Sequence, residues 1–176
     1  AEEHLDARTI TAVHCEVTGD IISHLEHENP RTVTEAQFSM NFAAACVLVH
    51  GELGIAQLSE TVLHDPEIQL AMGKVKMTQN DSLAEESELG PAYPEAAVVT
   101  VTLANGSQLR KINKGATGTP VNPMSDKQIN EKFLSCVIPI LGIDNSESLL
   151  RRLRSLERLD ASVSLFKECH ILSNTI

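Results

Sequence analysis

Few residues in this chain stand at spacings that suit chemistry. His24 and His27 lie three apart with Glu28 directly after, a pattern that could be bent around a divalent metal. The stretch from His24 to Pro30 reads as a polar loop, with no helix to present both imidazoles to one ion. No metal is therefore expected. His50 closes an apolar stretch and is expected to hydrogen-bond a backbone carbonyl at a buried helix end. Ser39 has neither the nucleophile elbow nor the partner His of a serine hydrolase. Gly115-Ala116-Thr117-Gly118 lacks the preceding strand and following helix that make a phosphate loop. Cys15, Cys46, Cys136 and Cys169 include no C-x-x-C pair, so neither a zinc site nor an iron–sulfur cluster is expected, and no cofactor is implied.

Composition narrows the classes further. The 176 residues suit one domain with an appendage. A net charge of −10 argues against nucleic acid and anionic membranes, because phosphate binding needs clustered Lys and Arg. The one basic cluster, Arg151, Arg152, Arg154 and Arg158, is interspersed with Glu147 and Glu157 and reads as a solvated helix face. Aromatic residues make up 3%, so the core must be aliphatic. No run approaches the length of a membrane span. Ala1-Glu2-Glu3-His4 lacks the basic flank and apolar stretch of a signal peptide. A chain opening on Ala1 is expected to be a processed product or a piece of a longer one. Free thiols point to a reducing compartment, cytoplasmic or, in a eukaryote, the mitochondrial matrix.

Local patterns set out the elements. Residues 8–18 alternate Ile10, Ala12/Val13, Cys15 and Val17 with polar positions, as a half-buried strand does. Thr34-Glu35-Ala36-Gln37 reads as a capping box opening a helix to about His50. That helix is apolar on nearly every side and therefore buried, with Gly51 closing it. Shorter helices are predicted at 55–63 and 65–72, the second begun by Asp65-Pro66. Lys74–Thr78 reads as a strand and 79–94 as an acidic loop. Ala97–Leu103 and Gln108–Ile112 flank Asn105-Gly106, a hairpin signal. A second capping box, Ser125-x-x-Gln128, opens a helix that Pro139 should kink or end. Ser146–Leu159 follows as an amphipathic helix with Leu149, Leu150, Leu153, Leu156 and Leu159 as its stripe, and a last piece is predicted at 161–170. The sum is an α+β fold.

Four stretches in order resemble the C-terminal part of the MmgE/PrpD family: TEAQFSMNFAAACVLVHG (34–51), HDPEIQLAMGKVKM (64–77), VTVTLANGSQLRKINKGATGTPVNPMSDKQINEKF (99–133) and LRSLERLDASVSLF (153–166). The resemblance implies a chorismate-mutase-like lid over 1–142: a small mixed sheet with a hairpin, packed by helices. It also implies a helical segment, 143–176, that would rejoin an N-terminal helical domain. That domain supplies the reacting centre of such enzymes, so the resemblance assigns no catalytic residue to this chain. It assigns Ser39 and Phe42 to substrate binding, with Phe42 where the family carries Tyr. The implied function is the lid part of a metal-independent lyase for a small di- or tricarboxylate. A 2-methylcitrate dehydratase-like activity ranks first, and a cis-aconitate decarboxylase- or epimerase-like one follows. The non-enzymatic alternative is a lid-like binding module or degenerate paralogue. The small carboxylate would bind only with the N-terminal domain present, and a homo-oligomer is expected.

Overall fold

Alternation near the head of the chain builds the central strand of the sheet. In β1 (Ile10–Val17), Ile10, Val13, Cys15 and Val17 are buried while Thr11 and Ala12 are exposed. A register irregularity between Ile10 and Ala12 in the pairing with β3 accounts for the odd spacing, since an extra residue turns the next side chain to the other face. That bulge decides between Ala12 and Val13 in favour of Val13. The computed structural model describes residues 7–83, 96–113, 115–120 and 122–158. The acidic stretch 84–95 and the helix predicted at 161–170 lie outside them.

Four strands form one sheet in the order β2-β1-β3-β4. β2 (Val75–Gln79) runs parallel to β1, while β3 (Ala97–Leu103) and β4 (Gln108–Asn113) run antiparallel to their neighbours. The hairpin turns as Asn105-Gly106 requires: Gly106 takes φ 80°, and Asn105 Oδ1 accepts from the Ser107 amide at 2.9 Å. The fold is α+β, with the helical layer inserted between the parallel pair β1 and β2.

That layer differs locally from the sequence expectation. Gly19 and Asp20 begin a short helix, α1 (Gly19–His24), a stretch that the local patterns left unassigned. Thr32, not Thr34, caps the next helix, α2 (Val33–Ala36), by accepting from the Glu35 amide. The chain then breaks at Gln37–Ser39, and Ser39 starts a separate helix, α3 (Met40–His50). Its hydroxyl accepts from the Phe42 amide at 3.1 Å. Two hydroxyls three residues before an amide compete in this region, and the break goes to the one whose neighbours can be buried. The stretch 55–63 likewise splits into a 3-10 turn, Ile55–Gln57, and α4 (Glu60–Leu63), which Ser59 caps. α5 (Pro66–Met72) starts as expected, with Asp65 Oδ1 accepting from the Glu67 amide at 2.7 Å.

α3 is the pivot of the core. Phe42, Ala45 and Cys46 pack with Ala36, Leu63, Ile68, Ala71 and Met72 of the other helices. Met40, Ala44 and Leu48 meet Val13, Cys15 and Val75 of the sheet. One side stays open nonetheless, since Val47 is exposed; an all-round apolar helix need not be covered all round. Burial pushes the Cys46 thiol up to about 11 and shifts Cys15 the same way. Above pH 9 the unfolded chain gives up a proton that the folded chain retains. Stability is therefore full below pH 9 and falls as pH rises towards 11. By pH 10.5 the loss should be about 2 kcal/mol. Urea titrations at pH 8 and 10.5 should show this fall in the wild type and a shallower one in Cys46→Ala; equal falls would mean that this thiol is not responsible.

The chain divides into two units, Ala1–Asn122 and Pro123–Ile176. The helix after Ser125 belongs with the second unit. That helix, α6 (Asp126–Leu141), has the expected capping box: Ser125 Oγ accepts from the Gln128 amide, and Gln128 Oε1 accepts from the Ser125 amide. Pro139 falls within its last turn, and Gly142 at φ 75° stops it three residues later. α7 (Ile143–Leu153) is shorter than the predicted 146–159 and starts earlier; Leu156–Arg158 form a 3-10 turn instead. Ser125→Ala should lower stability by about 1 kcal/mol, read as a lower melting temperature of the unit containing α6. An unchanged melt would mean that the box is not holding the helix start.

Candidate functional site

The two residues singled out by sequence meet in the first turn of α3. Ser39 has extended backbone angles (φ −124°, ψ 114°) and is 2% exposed. Its backbone N–H donates to the Ala36 carbonyl at 3.3 Å, and its carbonyl accepts from the Ala43 amide at 3.0 Å. The hydroxyl is thus a buried N-cap rather than a group on the helix surface. Phe42 is 0% exposed and lies in the helical core. A ring so placed has no exposed surface to present to a ligand and carries no proton to donate.

Asn41, which sequence reasoning passed over, sets the position of this turn. It is buried, and its Nδ2 donates to the carbonyls of Met72 at 3.3 Å and Val75 at 2.9 Å. Those carbonyls end α5 and begin β2, so one amide fastens the start of α3 to both. The signal was available: an Asn inside an otherwise apolar helix needs buried partners.

A pocket of about 390 Å³ opens nearby, lined by Ser23, His24, Glu26, His27, Thr34, Glu35 and Phe38. The His27 amide donates to the Phe38 carbonyl at 3.3 Å, tying the loop to the residue before the Ser39 cap. His24 Nδ1 contacts the Asp20 carbonyl at 2.6 Å. A carbonyl only accepts, so this nitrogen carries a proton. His27 reaches Glu26 at 4.0 Å, and Glu35 Oε2 accepts from the Arg31 amide at 2.7 Å. His24 and His27 therefore share a pocket, but with two carboxylates for neighbours. That lining repels a di- or tricarboxylate. Among the described residues no group of three or more His, Cys, Asp or Glu is placed to hold a metal ion.

The remaining candidates are dispersed. His50 is exposed at the end of α3, not buried, because the helix turns that side outward along with Val47. His64 pairs with Glu60 at 3.2 Å on the surface of α4. Gly115–Gly118 form a turn in which the Gly118 amide donates to the Asn122 carbonyl at 2.7 Å. In the basic cluster Arg151 pairs with Glu147 and Arg158 with Glu157, each at 3.7 Å with both side chains exposed. Such pairs contribute little and fit a solvated face. Arg154 departs from that reading. It bonds Asp126 Oδ1 at 2.8 Å, the Asp126 carbonyl at 3.2 Å and Asn130 Oδ1 at 2.6 Å, fastening the end of α7 to the start of α6.

Comparison with known proteins agrees with the resemblance over the first three stretches and the start of the fourth. The family model described as the MmgE/PrpD C-terminal domain matches residues 1–158. Human cis-aconitate decarboxylase is 23% identical over 156 residues. That alignment takes in 88% of this chain and 30% of the human protein.

Proposed function

Because the chain belongs to the MmgE/PrpD family and carries its C-terminal domain, we propose that it is the substrate-covering part of a lyase for small di- or tricarboxylates. The observation that carries this reading is the family match over residues 1–158. Dehydration of a 2-methylcitrate-like acid is the first reaction to test. Decarboxylation of cis-aconitate is the second, favoured by the human relative. Chemistry without a metal belongs to this reading as what the family resemblance implies. The chain spans about a third of that relative's length, and the groups that move protons would come from the remainder.

In this reading the first turn of α3 lies behind the substrate-facing surface and sets its position. Ser39 would fix the helix start, Asn41 would hold it against β2, and Phe42 would fill the core beneath it. A Tyr there could donate a hydrogen bond to a carboxylate, whereas Phe cannot. Losing one donor to developing charge costs on the order of a hundredfold in rate. Phe42 also favours the second reading, a non-catalytic member that covers or binds without turning over. Homo-oligomerisation and a cytoplasmic or mitochondrial location complete the proposal. No helix among the described residues is long and apolar enough to cross a membrane.

The test is turnover of 2-methylcitrate, citrate and cis-aconitate by this chain alone and by the full reading frame that contains it. This chain alone should show none above a boiled control, since a general acid or base must reach the proton it transfers. Turnover by the full product supports the enzyme. A full product inactive on all three acids, and still inactive as Phe42→Tyr, supports the non-catalytic reading.

A further inference from the structure

The face of the sheet turned away from α3 carries a row of donors that neither the core nor the α3 turn uses. Lys76 on β2 stands opposite His14 on β1, His14 opposite Thr100 on β3, and Thr100 opposite Arg110 on β4. Residues directly opposite in a ladder share a face. This face is the reverse of the one where Val13, Cys15 and Val75 meet α3. Lys76 and Arg110 are exposed, and His14 and Thr100 are half-buried.

Alternation alone asks for polar residues here, but it does not choose their sign. The chain has 24 acidic residues against 14 basic ones, yet the row holds two cations, an imidazole and a hydroxyl and has no carboxylate. Glu16, one row along on the same face, accepts from Asn80 Nδ2 at 3.2 Å. His14 Nε2 is 2.7 Å from Thr78 Oγ1, which steadies the ring over the sheet. Side-chain length is graded too: the long cationic side chains lie on the two edge strands and the short ones on the two central strands. With strands about 4.8 Å apart, the row is about 14 Å wide. Lys76 and Arg110 therefore wall a shallow trough whose floor is His14 and Thr100.

We propose that this trough binds a small polycarboxylate, one carboxylate towards Lys76 and another towards Arg110, with the central donors beneath. An anion with two separated charges can engage both cations as the long Lys76 and Arg110 side chains lean inward over the central strands. A single carboxylate engages only one of them. The site lies within the first unit and needs no other part of a longer protein, so its occupancy is independent of whether the chain contributes to turnover.

The test is a citrate titration of the 176-residue chain at constant ionic strength, followed by amide ¹⁵N–¹H spectra. Saturable shifts should centre on His14, Lys76, Thr100 and Arg110. Exposed charge pairs are individually modest, so Lys76→Gln and Arg110→Gln should each weaken binding about threefold, and together about tenfold. Lys111→Gln is the control, because Lys111 lies opposite Val99 on the other face; it should leave the affinity unchanged. Acetate should fail to saturate the same shifts. All three positions are exposed, so the variants should melt like the wild type. Absence of saturable shifts, shifts centred elsewhere, or equal weakening by Lys111→Gln would overturn the proposal.

Discussion

Replacing Phe42 by Ala should destabilise the first unit by about 3–5 kcal/mol, the usual cost of emptying an aromatic site in a core. The size of the effect follows from what surrounds the ring. Phe42 is 0% exposed and packs in a cluster containing Ala36, Ala45 and Ala71. The alanines are too short to swing into the space, and relaxation is left to Leu63, Ile68 and Met72. The helix cannot slide in either, since Asn41 holds it by two hydrogen bonds to Met72 and Val75. Domains are stable by about 5–15 kcal/mol in total, so the variant should be substantially unfolded on mild heating. Urea titration is the measurement, and a loss below about 1 kcal/mol would show that the ring is not the keystone of this core. Phe42→Tyr reads the surroundings of the ring more finely. A hydroxyl buried without a partner costs about 1–3 kcal/mol, and that is the expected loss in this chain. A Tyr variant as stable as the wild type would place the ring edge at an opening, where a substrate could meet it.

How far the sequence anticipates this molecule depends on whether each signal is local. The hairpin was legible because Asn105-Gly106 and the alternation on either side depend on adjacent residues alone, and the same holds for the caps at Asp65 and Ser125. The start of α3 was not. Thr32, Thr34 and Ser39 can all cap, and the winner is decided by which downstream side chains find a core, which is a tertiary matter. α1 was missed because six residues without an apolar stripe carry no helical period. His50 was misplaced because an apolar neighbourhood in sequence says nothing about which side of a helix is left uncovered. The candidate site was legible in part: Ser39 and Phe42 fall in one helical turn, yet Asn41, which fixes that turn, was visible only as an anomaly. The row across the sheet could not be read at all, since Lys76, His14, Thr100 and Arg110 are neighbours only once the strands are in register.

Changing Leu153 and Leu156 together to Glu should convert a self-associating chain into a monomer. The leucine stripe is divided in the structure. Leu149 is buried and Leu150 half-buried, but Leu153 and Leu156 are 39% and 48% exposed. The helix stops at Leu153, and Arg154 is drawn to Asp126 and Asn130, which fixes that end of α7 beside the start of α6. Ile129, one residue before Asn130, is itself 44% exposed. Several large apolar side chains at one end of a helical pair are adhesive in water. A two-fold contact would use each of them twice, once from each copy. Burying what remains exposed of a Leu is worth about 1 kcal/mol, taking a full side chain at roughly 1.5–3 kcal/mol. Four such contributions amount to about 4 kcal/mol, or roughly a thousandfold in dissociation constant. The double Glu variant loses all four and adds like charges across the contact, so the shift should be at least that large. Arg154 and its partners are untouched, and the helical content should therefore be preserved. Sedimentation velocity of both proteins over a range of concentrations decides the matter. A wild type that stays monomeric at high concentration, or a variant that associates equally well, would show that this end of the hairpin is not a self-association surface.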